Sequence, residues 1–230
     1  QKVVYEEILE EARLSAKDGR KRVVIVKGGP GTGKSVVAVN LLAELTKEDQ
    51  FCQYVSKNSA PRNVYRKKLK GNIRKSSVDN MFKGSGIYTE TDNNMVDTIL
   101  VDEAHRLNEK SGMFHNMGEN QIKEIIHAAK CSVFFIDERQ RVTLQDIGSV
   151  EEIRKWAKKE KARITEMELV SQFRCNGSDG YLAWLDHTLE IRDTANFDME
   201  GIDYDRRIMD SPVKMQELII ERNCASHNRA

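Results

Sequence analysis

Residues Val23 to Ser35 read Val-Val-Ile-Val-Lys-Gly-Gly-Pro-Gly-Thr-Gly-Lys-Ser, an apolar run that passes directly into a glycine-rich loop. Few short segments restrict a fold as much. A β-branched run with no polar alternation is a strand covered on both faces, which demands helices on both sides of its sheet. Gly28, Gly29, Pro30, Gly31, Thr32, Gly33, Lys34 and Ser35 fit G-x-x-x-x-G-K-[ST]. Glycines let the main chain wrap a triphosphate with N–H groups pointing inward, and a helix starting at the loop adds its positive dipole end. On this reading Lys34 reaches the β- and γ-phosphates and the Ser35 hydroxyl holds Mg²⁺. Val36, Val37, Val39, Leu41, Leu42 and Leu45 supply the packed side of the following helix. A glycine-rich turn that binds nothing is the alternative, and the strand–loop–helix order argues against it.

The rest of the chain alternates in the same manner. Val4, Ile8, Leu9 and Ala12 predict an opening amphipathic helix, and 34–47 the helix after the loop. Further strands are expected at Phe51 to Ser56, Asp97 to Asp102 and Ser132 to Asp137, with helices over 60–70, about 119–129 and 150–161. Ile164 to Val170 is an alternating stretch. Strands alternating with helices imply a parallel sheet covered on both faces, an α/β fold. Segments 71–96 and 106–118 are polar and glycine-containing and read as loops. The charges of 150–161 read as a solvated helix face.

Composition narrows the partners. The 230 residues carry 37 basic and 36 acidic side chains, so overall charge announces no nucleic acid and any such contact must come from local clustering. No apolar stretch approaches the ~20 residues that span a bilayer. The first residue is Gln and no signal-peptide pattern follows, which predicts an excised cytoplasmic fragment. Cys52, Cys131, Cys175 and Cys224 are scattered without a C-x-x-C pair and read as buried thiols in a reducing compartment. A zinc site is not expected.

The chemistry collects at strand ends. Leu100-Val101-Asp102-Glu103-Ala104-His105 closes the third strand, and in open parallel sheets ligands lie beyond the carboxyl ends. Asp102 can hold Mg²⁺ through its water shell, and Glu103 can orient and deprotonate an attacking water. The competing reading, that both acids cap the next helix, loses weight beside a phosphate loop. His105 reads equally as a coupling residue or a surface histidine. After the fourth strand, Gln140 stands where an amide could bridge the γ-phosphate, or its water, to another part of the molecule. Residues 57–75 hold Lys57, Arg62, Arg66, Lys67, Lys68, Lys70, Arg74 and Lys75 with no acid. Tyr65, Leu69 and Ile73 would face the core, while Arg62, Arg66 and Lys70 form a parallel stripe suited to phosphate backbone, or to plain solvation. Arg174, on a loop after the alternating stretch, reads as an arginine finger or a surface ion-pair partner.

Together these segments resemble superfamily 1 helicase motors, and specifically the Schlafen group 3 helicase-like family of P-loop proteins. The carriers are Gly-Gly-Pro-Gly-Thr-Gly-Lys-Ser (28–35), Val-Asp-Glu-Ala-His-Arg-Leu (101–107), Phe-Phe-Ile-Asp-Glu-Arg-Gln-Arg-Val (134–142) and Ser-Gln-Phe-Arg-Cys-Asn-Gly-Ser-Asp-Gly-Tyr-Leu (171–182). The resemblance implies a RecA-like first domain that binds and hydrolyses ATP with Mg²⁺. It assigns Gln140 to γ-phosphate sensing and Arg174 to a contact with ATP across a domain cleft. Lys57-Asn58-Ser59-Ala60-Pro61-Arg62 looks like the family's segment on nucleic-acid backbone, and Gln1 like its adenine-reading glutamine. Such motors need a second RecA-like domain. Residues 1–165 are therefore expected as the ATPase domain and 166–230 as the start of a truncated second lobe, since only about 65 residues follow, too few for a whole domain.

The leading expectation is the ATPase core of a DNA- or RNA-dependent motor, with single strands favoured, completed by a missing C-terminal half or a protein partner. An ATP-dependent conformational switch without unwinding activity is the alternative. A small-metabolite kinase shares the phosphate loop but leaves Asp102-Glu103, Gln140 and Arg174 unexplained.

Overall fold

The structure, a computed structural model, describes residues 1–69, 74–112, 116–170, 179–191, 193–202 and 204–226. The chain divides into two compact units, Gln1–Gly177 and Ser178–Ala230.

In the first unit, β1 (Arg22–Gly28), β2 (Cys52–Val55), β3 (Phe82–Lys83), β4 (Val96–Val101), β5 (Ala129–Ile136) and β6 (Arg163–Leu169) form one sheet in the order β3-β2-β4-β5-β1-β6. Every pairing is parallel. The expected fold class, a parallel α/β sheet behind a phosphate loop, is therefore what the chain adopts. Alternation along each strand sorts side chains onto two apolar layers. Val24, Val26, Leu100, Val133 and Phe135 pack with Ile8 and Leu9 of α1 (Lys2–Asp18) and Leu41 and Leu45 of α2 (Lys34–Lys47). Val23, Ile25, Ile99, Val101, Phe134 and Ile136 pack on the other face with Ile122 and Ile125 of α5 (Gln121–Ala128) and Ile153 of α6 (Val150–Lys159). Burying both faces is why these strands carry no polar alternation.

β6 departs from that rule, with exposed Arg163 and Glu168, because it is the sheet's edge beside β1. It also moves the boundary expected after residue 165. Residues 163–169 pair along all of β1, so they belong to the first unit.

Segment 71–96, read as a loop, holds real elements. α3 (Ser59–Leu69) is followed by α4 (Lys75–Met81) and β3, which pairs with β2 through Tyr54↔Phe82 and Val55↔Lys83. Hydrophobic burial builds this edge. Val78 and Phe82 enter the core, and Phe82 stacks on Tyr65 at 5.5 Å between ring centroids. Tyr65 and Leu69 pack against the core as expected, while Ile73 lies outside the described residues. Cys52 and Cys131 are buried, and burial pushes both thiols up to about 12. Cys224 is exposed, and Cys175 lies outside the described residues.

The second unit holds α7 (Asp179–Thr188) and α8 (Pro212–Ser226). Tyr181 stacks on Tyr204 at 4.0 Å, and the Arg206 guanidinium lies 4.6 Å from the Trp184 ring centre. No helix among the described residues is long and apolar enough to cross a membrane.

Candidate nucleotide site at the carboxyl edge of the sheet

β1 ends at Gly28, and the main chain loops through residues 29–33 into α2. Two backbone demands explain the glycines. A Cβ on Gly28 would stand 2.7 Å from Thr32 Oγ1 and 3.1 Å from Leu169 Cβ, so loop and neighbouring strand leave no room for one. Gly33 caps α2 in the left-handed region at φ +89°, where a side chain would be strained and would strike the Gln1 carboxamide. That carboxamide donates to Thr32 O at 2.7 Å, so Gln1 lies against the phosphate loop. Thr32 Oγ1 donates to Gly29 O at 3.0 Å and ties the loop across itself. Lys34, almost fully buried, folds over the loop and donates to Gly28 O (2.6 Å) and Gly29 O (2.8 Å). The helix N-terminus and the ammonium both favour an anion.

β4 carries the acidic pair to the same edge, separated from β1 by β5. Asp102 is buried, and its backbone N–H donates to Val55 O at 2.8 Å. Its Oδ2 accepts from the Tyr54 hydroxyl at 2.6 Å and its Oδ1 from the Glu103 N–H at 3.0 Å. Burial first, then the Asp102 charge, pushes the Tyr54 phenol well above its ordinary range, so it remains a donor. Glu103 sits at φ +55°, uncommon for a residue with a Cβ, and this backbone twist turns the chain away from β4.

Glu103 Oε2 is 3.2 Å from His105 Nε2. The hydrogen bond from His105 is the main influence holding the Glu103 carboxyl below its ordinary range; burial opposes it, and the Lys34 charge assists. His105 is 1 % exposed, so of its two readings the surface histidine is excluded. Its Nδ1 accepts from the Asp137 N–H at 3.3 Å. Both contacts are met by one neutral tautomer, with the proton on Nε2 aimed at Glu103. His105 thus joins the end of β4 to the end of β5.

Beyond β5, Asp137 Oδ1 accepts from the Arg139 N–H at 3.2 Å and starts a short turn through Gln140. Gln140 is half-buried, and its N–H donates to Asp137 O at 3.0 Å. Arg174 and Lys70 lie outside the described residues.

The basic segment takes a different form from the outward stripe expected. Lys57 Nζ donates to Asn108 Oδ1 (2.9 Å) and pairs with Asp146 Oδ1 (3.0 Å). Arg62 Nη1 donates to Ser56 O, and Arg66 Nη2 to Phe82 O at 2.6 Å. Arg66 also lies 3.5 Å from Asp79. These side chains fold back onto carbonyls and acids, the long stems of Arg62 and Arg66 reaching the carbonyls just after β2 and at the start of β3. Asn58, Lys67 and Lys68 stay exposed.

Sequence reasoning missed Asp146, which is 0 % exposed. Its Oδ2 lies 3.1 Å from Arg106 Nε and accepts from the Val142 and Thr143 N–H groups at 3.1 and 3.0 Å. Burial is the largest single influence and raises its pKa, but the backbone donors and Lys57 together outweigh it, and the carboxyl is held well below its ordinary range. Its charged partners, Lys57 and Arg106, lie far off in sequence, so no local pattern announces the pairing. Tyr54 escaped notice for the same reason.

Among the described residues no cluster of three or more His, Cys, Asp or Glu could hold a metal by itself. Ser35 and Asp102 offer hard oxygens. Each Asp102 oxygen carries one protein donor, which leaves lone pairs for a hydrated Mg²⁺ whose other ligands are phosphate oxygens and water.

An all-parallel sheet with a glycine loop closing on Gly-Lys-Ser after β1 and an acidic pair after β4 defines the P-loop class of α/β proteins. A family model described as Schlafen group 3, DNA/RNA helicase domain, matches residues 21–230. The chain belongs to that family. No curated protein matches it. Among solved structures, a DNA replication initiation factor is similar at 15 % identity and a TM-score of 0.39, over 96 % of this chain and 59 % of that one. The chain thus spans less than two thirds of that protein's length.

Proposed function

We propose that this chain is the ATP-hydrolysing core of a nucleic-acid-dependent motor. One observation carries the reading: the glycine loop with Lys34 follows β1 and Glu103 follows β4, two strands of one parallel sheet with β5 alone between them. Phosphate-binding cation and candidate base therefore share one edge of one sheet.

The loop amides and Lys34 would bind the β- and γ-phosphates. Ser35 and Asp102 would hold Mg²⁺, which when bound neutralises charge on the phosphate oxygens. Glu103, kept ionised and aimed by His105, would accept a proton from the attacking water. Gln140 would sense the γ-phosphate, and Arg174 would supply charge to the transferring group. Lys57, Asn58, Arg62, Arg66 and Lys70 are the proposed contacts to single-stranded DNA or RNA backbone, and the residues that follow β6 are the proposed start of a second lobe.

The test separates binding from chemistry. Glu103→Gln should leave ATP affinity within a few-fold and lower turnover by about 10²- to 10⁴-fold. Unchanged turnover would remove Glu103 as the base.

A second reading, an ATP-dependent switch for a protein partner, draws on the internal engagement of Lys57, Arg62 and Arg66. Binding to a single-stranded oligonucleotide across a salt series decides between them, because phosphate contacts weaken steeply with salt. No binding at low salt favours the switch.

A further inference from the structure

Three connections leave the carboxyl edge of the sheet at different strands, and one buried carboxylate joins them. Lys57 follows β2, Arg106 follows β4, and Asp146 lies on the connection from β5 to α6. Asp146 Oδ1 pairs with Lys57 Nζ at 3.0 Å, and Asp146 Oδ2 meets Arg106 Nε at 3.1 Å. The same Oδ2 takes the Val142 and Thr143 N–H groups at 3.1 and 3.0 Å, closing a tight turn just after Gln140. The Asp146 carbonyl accepts from Arg141 Nε at 3.1 Å.

The contact with the β4 connection is equally close. The Ile147 N–H donates to Leu107 O at 2.8 Å, and Asn108 bridges to Asp146 in antiparallel fashion. A Cβ on Gly148 would collide with the Ala104 carbonyl and lie 2.6 Å from His105 Cα, so glycine is required where the two main chains touch. Residues 104–105 directly follow Glu103. A shift of the 146–148 main chain therefore has no slack to absorb it before it reaches the Glu103–His105 turn.

Lys57 is the partner in this hub that lies on the segment proposed for nucleic-acid backbone, and 27 % of its side chain is exposed. A backbone phosphate at Lys57 competes with Asp146 for the same ammonium. We infer that Asp146 is a positioning residue through which occupancy of the Lys57–Arg62 segment by single-stranded nucleic acid sets the placement of Gln140 and Glu103, and so the rate of ATP turnover. This rests on the proposed reading of Lys57–Arg62 as a nucleic-acid contact.

Asp146→Asn keeps the side chain's shape and removes the charge that holds Lys57 and Arg106. ATP turnover is measured on the full chain with and without a mixed-sequence single-stranded oligonucleotide, as DNA and as RNA. Oligonucleotide affinity and the cooperativity of thermal unfolding are followed in parallel. The variant should keep basal turnover and oligonucleotide affinity within a few-fold, while the oligonucleotide-stimulated increment falls by about five-fold or more. A purely structural role would lower basal and stimulated turnover together. Stimulation retained in the folded variant overturns the inference.

Should Asp146→Asn fail to unfold cooperatively, amide hydrogen exchange on the unaltered chain decides the matter. Oligonucleotide binding should change protection over 138–147, and no change there overturns the inference. The two levels fail differently. A wild-type chain that binds no oligonucleotide at low salt removes the nucleic-acid half of the proposed function. One that binds oligonucleotide without a response over 138–147 removes only the role given to Asp146.

Discussion

Around the phosphate loop, the carboxyl edge of the sheet is built from neighbours in sequence. Lys34 reaches carbonyls five and six residues back, and Thr32 ties to Gly29. Around Lys57 the same edge is built from distant residues, with a span of 89 positions between Lys57 and Asp146. The first plan uses main-chain shape, which glycines and a helix start can write into eight consecutive residues. The second uses a buried carboxylate that must collect its donors from three connections. Binding a fixed ligand suits the first plan. Joining separate connections suits the second, since one carboxylate takes a cation from each of two of them.

The largest effect should come from the local side. Lys34→Ala removes the buried ammonium proposed to neutralise phosphate charge, and should lower ATP turnover by about 10³-fold together with nucleotide affinity. A variant that hydrolyses ATP normally would break the assignment of the loop to nucleotide. It would also remove the contrast between a binding side and a linking side.

Next in size is a long-range ionic device away from the site. Lys21 Nζ donates to Asn94 Oδ1 and to the carbonyls of Ile126, His127 and Ala129, all between 2.7 and 3.0 Å, where α5 ends. Lys21→Met should cost about 2–3 kcal/mol in urea unfolding, because buried carbonyls lose their donor. Turnover per folded molecule should stay unchanged. Loss of turnover beyond the loss of folded protein would show that distant ionic contacts at both edges feed the site.

These two cases also mark what the sequence could tell. Strand, loop and helix over residues 22–47 were readable because each is set by a short local pattern: a β-branched run, glycines, then apolar residues at helical spacing. The acidic pair was readable because an apolar strand delivers it to a known edge. α4 and β3 were not, since one helix residue, Val78, is buried and the strand is two residues long, so neither has a period to detect. Helical spacing correctly put Tyr65 and Leu69 inward. It could not show that Arg62 and Arg66 turn back onto Ser56 and Phe82, because periodicity fixes where a side chain starts and not where a long one ends. Asp146 and Lys21 were silent, as Lys57, Arg106 and the carbonyls at the end of α5 lie far from them along the chain.

His105 belongs to both plans, being adjacent to Glu103 in sequence yet bonded to the end of β5. Its hydrogen bond is the main influence lowering the Glu103 pKa. Glu103 accepts a proton only when ionised, so turnover should fall as pH drops through its depressed pKa, below the ordinary glutamate value. His105→Ala should move that acidic limb to higher pH and cost about ten-fold at neutral pH through loss of aim. An unmoved limb with a lower plateau would mean that His105 orients the turn without tuning the carboxylate.

The smallest effect probes where the two plans meet. Tyr54 is fully buried, packs at 5.7 Å from both Tyr65 and Phe82, and donates to Asp102 at 2.6 Å. It therefore connects the aromatic cluster under the basic segment to the proposed Mg²⁺ carboxylate. Tyr54→Phe keeps the ring and deletes one hydrogen bond, which should cost about 1 kcal/mol of stability. Partners that orient a metal-binding carboxylate are commonly worth ten-fold or more in affinity. Here phosphate and water would supply most of the coordination, so the Mg²⁺ concentration for half-maximal turnover should rise by only about three-fold. A stability loss with no change in that midpoint would confine Tyr54 to core packing.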